Sequence, residues 1–248
     1  MPSDEEPELI WLRPEHSGRG PRPAHSRTSI ARAAVTIADA EGLEAVTMRR
    51  IAAELGAGTM SLYNYVPKKE HLFDLMTDLL AGEYELPEQP AGDWRADLTT
   101  LAHQLRAILT RHPWATAVVT RRPGLGPNGL RVTEFFLAAL ADTPLDGSAK
   151  MEAFSQLNGY VCQFTDWQQR SADAGTRWLA DMVRHLQAAT ATGRYPHLAE
   201  ALAQSAAPPD PDAAFERGLQ RLITALLAAD RSEPSEPSRP NGPNGTAD

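Results

Sequence analysis

At 248 residues with 42% hydrophobic content, the chain can bury one substantial core plus a small satellite unit. A formal charge of −8 makes it, as a whole, a poor partner for a polyanion, so any nucleic-acid binding has to be local. The single cysteine, Cys162, excludes an internal disulfide and a cysteine-rich zinc site, and the seven histidines form no pair at helical ligand spacing, so neither a metal nor a cofactor is expected.

Residues 1–25 read as a flexible leader. Asp4, Glu5, Glu6 and Glu8 come first, then Gly18, Arg19, Gly20, Pro21, Arg22 and Pro23. The second run has the composition of a basic arm that lays arginines in a minor groove, and equally that of a solubilising leader. The sequence leaves both open. No apolar run reaches eighteen residues and no signal-type leader is present, which predicts a cytoplasmic chain with no membrane partner.

Residues 26–70 carry the densest signal. Ile30, Ala33, Ala34, Ile37 and Ala38 recur at spacings of three and four, which gathers them on one helical face. Gly42 stops that helix. Thr47 can cap the next, whose apolar residues Ile51, Ala52 and Leu55 run to Gly56. The turn Gly56-Ala57-Gly58 lets two helices cross steeply, which is the geometry of a helix-turn-helix. Residues 59–66 are then the recognition helix, limited by Pro67. Leu62 and Val66, four apart, should point inward and leave Thr59, Met60, Ser61, Tyr63 and Asn64 for a major groove.

The run from Ala38 to Gly56, which includes Glu41-Gly42-Leu43 and Thr47-Met48-Arg49-Arg50-Ile51-Ala52, followed by Ser61-Leu62-Tyr63-Asn64-Tyr65-Val66, resembles the TetR/AcrR family of transcriptional regulators. By that resemblance Thr47, Met48 and Arg49 lie near the DNA backbone, Thr59, Met60 and Ser61 meet bases, and Tyr63, Tyr65 and Lys69 meet phosphates. Arg27, Lys68 and Asn64 complete the expected DNA-binding set. Gly58 stands where the family often has a serine cap, and Asn64 and Tyr65 replace commoner basic or histidine choices, so the operator sequence is not inherited. The charge distribution agrees independently. Residues 11–71 hold nine Lys and Arg against six acids, about +3, whereas residues 81–248 hold fifteen against twenty, about −5.

Beyond residue 70 the pattern is helical almost throughout, which gives an all-α chain. Helices are expected at 70–80, 94–111, 130–141, 150–170, 177–192, 197–203 and 213–229, with a shorter one from Trp114. Residues 71–230 thus form a larger helical domain for effector binding and dimerisation, and the Ser/Pro/Asn/Gly tail 231–248 is too polar to order itself. Polar groups interleaved with aromatics make His103, Gln104, Trp114, Arg121 and Phe135 candidates for a ligand pocket, together with Phe154, Asn158, Gln163 and Trp178. An aromatic core with incidental polar edges explains the same residues. The resemblance further implies a homodimer built on the helices 150–170 and 213–229, a pseudo-palindromic double-stranded operator and release by a small-molecule effector. In linkage terms that effector must favour one conformation by about 5 kcal/mol across the dimer, with helix 70–80 as the lever.

Two rivals stand beside this reading. The glycines of residues 124–129 match GxGxxG, and residues 115–120 before them could pass for a strand, as in a dinucleotide-binding enzyme. The other rival is a constitutive regulator without effector, which a solid core would favour and a roomy cavity would oppose.

Overall fold

A computed structural model describes residues 8–15, 25–121, 124–173, 176–204 and 210–226, and all regular structure among them is helical. Helix α1 (Arg27–Glu41) opens on a reciprocal cap: Ser26 Oγ accepts the Ser29 N–H, and Ser29 Oγ accepts the Ser26 N–H. Two donors that a helix start would otherwise orphan are thereby satisfied. The predicted face of Ile30, Ala33, Ala34, Ile37 and Ala38 is buried. Gly42 ends the helix at φ 85°, where a Cβ would be strained.

Helix α2 (Met48–Leu55) is capped by Thr47, whose Oγ1 accepts the Arg50 N–H at 3.1 Å, and closes on Gly56 in the left-handed region. Helix α3 (Thr59–Tyr63) follows the Gly56-Ala57-Gly58 turn. It is shorter than the 59–66 expected. The N–H groups of Tyr65 and Val66 both turn back onto the Leu62 carbonyl, so the last turn tightens before Pro67. Leu62 and Val66 are fully buried beneath it.

Helix α4 (Lys69–Ala81) packs on α1 and continues into the body, where α7 (Pro127–Ala139) lies against it. Between them come α5 (Trp94–Arg111) and the short α6 (Thr116–Val119). Helix α8 (Gly147–Asp173) closes the body over α5 and α7, and α11 (Pro211–Leu226) lies on α5 and α8. Their shared core includes Leu98, Leu109, Phe136, Val161, Phe215 and Leu219, all essentially inaccessible, each side chain contributing about 1.5–3 kcal/mol. Of the apolar stripe on α11, Phe215, Leu219, Ile223 and Leu226 are buried within this chain, Leu222 is half-buried and Leu227 lies outside the described residues. Helices α9 (Thr176–Ala191) and α10 (Pro196–Gln204) pack mainly on each other and leave Trp178, Met182, Val183 and Tyr195 exposed.

One expectation is corrected at the N-terminus. Residues 8–15 do not trail as a flexible leader: a 3-10 turn, Ile10–Leu12, seats Ile10 fully inside the core and packs Trp11 against it. Leader composition hid two large apolar side chains among charges. The arm of residues 18–23, the tail 231–248 and the last residues of the closing helix, 227–229, lie outside the described residues.

Candidate nucleic-acid interface and effector site

The steep crossing of α2 and α3 follows from the left-handed Gly56 and the extended Gly58, which reverse the chain in three residues. Leu62 anchors α3 inward, and its opposite face presents Met60, 78% exposed, with Ser61, Tyr63 and Asn64 also exposed and Thr59 half-buried. Ser61 Oγ donates to the Gly58 carbonyl at 2.7 Å, which leaves the oxygen's lone pairs outward. Beside this row Arg49 is exposed, Thr47 is exposed but engaged as the α2 cap, and Met48 is half-buried on the core. Lys69 stands 5.3 Å over the Phe73 ring. Tyr65 is half-buried and packs against the core. The structure thus gathers the expected base-reading residues on one surface.

Two expected DNA contacts are engaged elsewhere. Arg27 Nε donates to the Tyr65 carbonyl at 3.2 Å, and its terminal nitrogens donate to the carbonyls of Ile10, Arg13 and Pro14. Burial draws this guanidinium's pKa below its ordinary value, with Glu15 opposing. A cation so committed ties chain to chain. Lys68 Nζ sits 2.9 Å from both carboxylate oxygens of Glu8, and that hydrogen bond holds Glu8 below the usual carboxylate range. Arg50, which carried no role in the sequence reading, bonds Glu41 and Glu54 and braces α2 against α1.

Two polar clusters connect these helices to the body. His112 Nδ1 lies 2.7 Å from Asp39 Oδ1 and Nε2 lies 3.1 Å from Glu83, while Trp114 Nε1 donates to the same Asp39 oxygen at 2.7 Å. On α4, the buried Asp78 accepts the N–H groups of Asn128 and Gly129 at 2.9 and 3.0 Å and the Asn128 amide at 3.1 Å. A carboxylate at these positions caps α7 from outside its own helix, complementing the positive end of its dipole.

That cluster also accounts for the glycines of residues 124–129. A Cβ on Gly126 would fall 2.3 Å from Asp78 Oδ1, and one on Gly129 would fall 2.2 Å from the Gly124 carbonyl oxygen. Close packing dictates Gly126 and Gly129, whereas a Cβ on Gly124 would meet only an ordinary contact at 3.9 Å. The stretch before them is helical, as a 3-10 turn and α6 rather than a strand, so the run does not open a βαβ unit.

At the centre of the body, α5, α7 and α8 leave a cavity of only about 10 Å³ walled by Tyr84, Leu105, Val132, Phe136, Phe154 and Asn158, room for no more than one water. Of the nine candidate pocket residues, only Phe154 and Asn158 line it. Asn158 Nδ2 donates to the Phe154 carbonyl in its own helix at 2.9 Å, so its burial is compensated locally. Phe135 is buried on α7 away from this cavity, and Trp114 is committed to Asp39. His103 pairs with Glu216 at 3.1 Å, and Gln104 brackets the backbone of Glu85. Arg121, Gln163 and Trp178 face outward. Helix 94–111 is polar on its outer face, where His103 and Gln104 find surface partners. Tyr84 was missed: it follows the end of α4, outside any helical period.

Comparison with known proteins adds an independent line. The family described as "Bacterial regulatory proteins, tetR family" matches residues 30–76, and "Tetracyclin repressor-like, C-terminal domain" matches residues 86–229. The HTH-type transcriptional repressor DrrR1 of Streptomyces coeruleorubidus is 40% identical over 228 residues, 88% of this chain and 83% of that protein. An HTH-type transcriptional regulator of Saccharopolyspora erythraea is 34% identical over 230 residues, 91% and 94% of the two chains. The crystal structure of ActR from Streptomyces coelicolor in complex with actinorhodin is similar at a TM-score of 0.73 and 30% identity, covering 84% of this chain and 99% of that one.

Proposed function

The chain belongs to the TetR family of bacterial regulatory proteins and is a DNA-binding transcriptional regulator, and from that premise we propose that it is a homodimeric repressor released from its operator by a small organic effector. The observation that carries the reading is the outward row Met60, Ser61, Tyr63 and Asn64 over a buried Leu62. Two copies of that row about 34 Å apart match successive major grooves, so the operator is a pseudo-palindrome. A second copy would cover the apolar surface that this chain leaves open, with Trp167 on α8, Trp178 and Met182 on α9, and Leu198 on α10.

The effector enters between α5, α7 and α8. Tyr84, Phe136 and Phe154 with the single amide of Asn158 suit an aromatic body carrying a hydrogen-bonding group. Since the cavity admits no more than a water, binding requires one wall to move, and that movement supplies the difference in affinity between two states that release demands. The packed core is also the one observation favouring a constitutive repressor. Support for the responsive version comes from ActR, which has been crystallised with actinorhodin and with (S)-DNPA.

The test is footprinting on the DNA flanking the protein's own gene, with and without actinorhodin and (S)-DNPA as first probes. A protected pseudo-palindrome that is lost on adding a probe supports the whole reading. Protection that no small molecule disturbs favours the constitutive version, and no protection anywhere at moderate salt removes the DNA-reading role.

A further inference from the structure

We propose that residues 8–15 form a second link between the recognition helix and the effector site, with Trp11 as the positioning residue at its centre. The proposal rests on the ligand-responsive reading above. The segment precedes both matched family regions, 30–76 and 86–229.

The segment grips the DNA-reading helices at two places. The Arg27 guanidinium donates at once to the Tyr65 carbonyl, just past α3, and to the carbonyls of Ile10, Arg13 and Pro14. One rigid fork therefore holds the exit of the recognition helix and the segment together. At the start of α4, His71 Nε2 lies 2.8 Å from the Glu8 carbonyl. Only an N–H can bond a carbonyl, so Nε2 is the donor, and Nδ1 is buried with no partner among the described residues. This histidine is committed to the segment. Ile10, fully buried, fixes the segment from beneath.

The third grip is on the body. Trp11 lies over Gly126 at the first turn of α7, so closely that a Cβ there would come within 2.5 Å of Trp11 Cζ2. Asp78 holds the Asn128 and Gly129 N–H groups at the same turn. Two and three turns' worth of chain further on, Val132 and Phe136 of the same helix wall the central cavity. An effector larger than a water that displaces α7 therefore displaces the floor under Trp11. The segment passes that displacement to Arg27 and Tyr65, in parallel with the route along α4.

Coupling is reciprocal, so operator binding must in turn steady the start of α7. The experiment is amide hydrogen exchange at residues 128–129 of the full chain, with and without the footprinted operator fragment. In the wild type, operator slows exchange there by about fivefold or more, the low end of ordinary coupling. Trp11→Ala keeps operator binding within about tenfold but loses the slowing, and Trp11→Phe, which keeps a ring over Gly126, restores at least half of it. Trp11→Leu, which removes the ring from Gly126 but keeps an apolar side chain on the core, gives the same loss and decides the matter if Trp11→Ala does not fold. Wild-type slowing in both Trp11→Ala and Trp11→Leu overturns the proposal and leaves α4 as the sole route. A wild type that binds no DNA overturns the regulator reading itself, an outcome visible before any variant is made.

Discussion

The imidazole of His112, at the end of α5, lies 2.7 Å from the carboxylate of Asp39 on α1, and this contact joins the helices that read DNA to the helices that surround the cavity. Asp39 is doubly used, since the Trp114 indole donates to the same oxygen, and His112 is doubly used, since its other nitrogen meets Glu83. The junction is buried on one side only: His112 and Trp114 are buried, while the Asp39 and Glu83 carboxylates reach solvent. The buried donors depend on these carboxylates, because an orphaned group away from water bears a desolvation cost.

Asp39→Ala should therefore cost about 1–3 kcal/mol, since the buried indole N–H and one imidazole nitrogen lose their partner while water reaches the vacated edge. Urea unfolding followed by circular dichroism measures it. A loss under about 0.5 kcal/mol would mean that water replaces the carboxylate without penalty.

The two faces of α3 should separate stability from recognition. Leu62→Ala opens a void beneath the recognition helix and is expected to destabilise by about 2–5 kcal/mol. Met60, 78% exposed, supports nothing, so Met60→Ala should change stability by no more than about 0.5 kcal/mol and still weaken operator binding. Unfolding midpoints and fluorescence anisotropy on the operator fragment report the two effects separately. Equal operator affinity for Met60→Ala and wild type would remove this side chain from the interface.

What could be read in the sequence, and what could not, divides along the reach of the interactions. Gly42, Thr47, Gly56 and Leu62 act within one turn of their own position, and the structure places each in the local role that its chemistry predicts, whereas α3 stops at Tyr63, short of the limit expected from Pro67. The limits 94–111 of α5 were equally legible, and the structure adds Asp93 as its N-cap. The body pocket was not. Whether Gln104 faces the cavity or clasps the Glu85 backbone depends on a neighbour nineteen positions away, which no periodicity encodes. Arg27 was misdirected for the same reason: its partners are carbonyls of residues 10–14 and 65, and backbone carbonyls leave no trace in a sequence.

The glycines of residues 124–129 give a third prediction. Because a Cβ on Gly129 would fall 2.2 Å from the Gly124 carbonyl oxygen, a backbone atom with little freedom to yield, Gly129→Ala should destabilise by about 1–3 kcal/mol, as overpacking does. The wild type should show no saturable binding of NAD. Calorimetric titration and thermal unfolding check the two halves, and tight NAD binding would reopen the dinucleotide reading of this loop.

Cys162 supplies the pH dependence. Burial pushes its thiol from the ordinary 9.0 up to about 11, so between those values the folded chain holds a proton that the unfolded chain has released. The native state then binds more protons than the unfolded state, and stability falls as pH rises. The contribution is intact below pH 9 and is lost as pH climbs through about 11, by at most about 3 kcal/mol for a shift of this size. Tyr84 titrates in the same direction, since burial raises its phenol as well, so the thiol's share must be isolated by comparison with Cys162→Ala. Urea midpoints at pH 8 through 11 should fall more steeply in the wild type than in that variant, and a thiol reagent at pH 8 should leave the folded chain unlabelled until denaturant is added. Parallel pH profiles for the two proteins, or prompt labelling without denaturant, would show that the thiol reaches solvent.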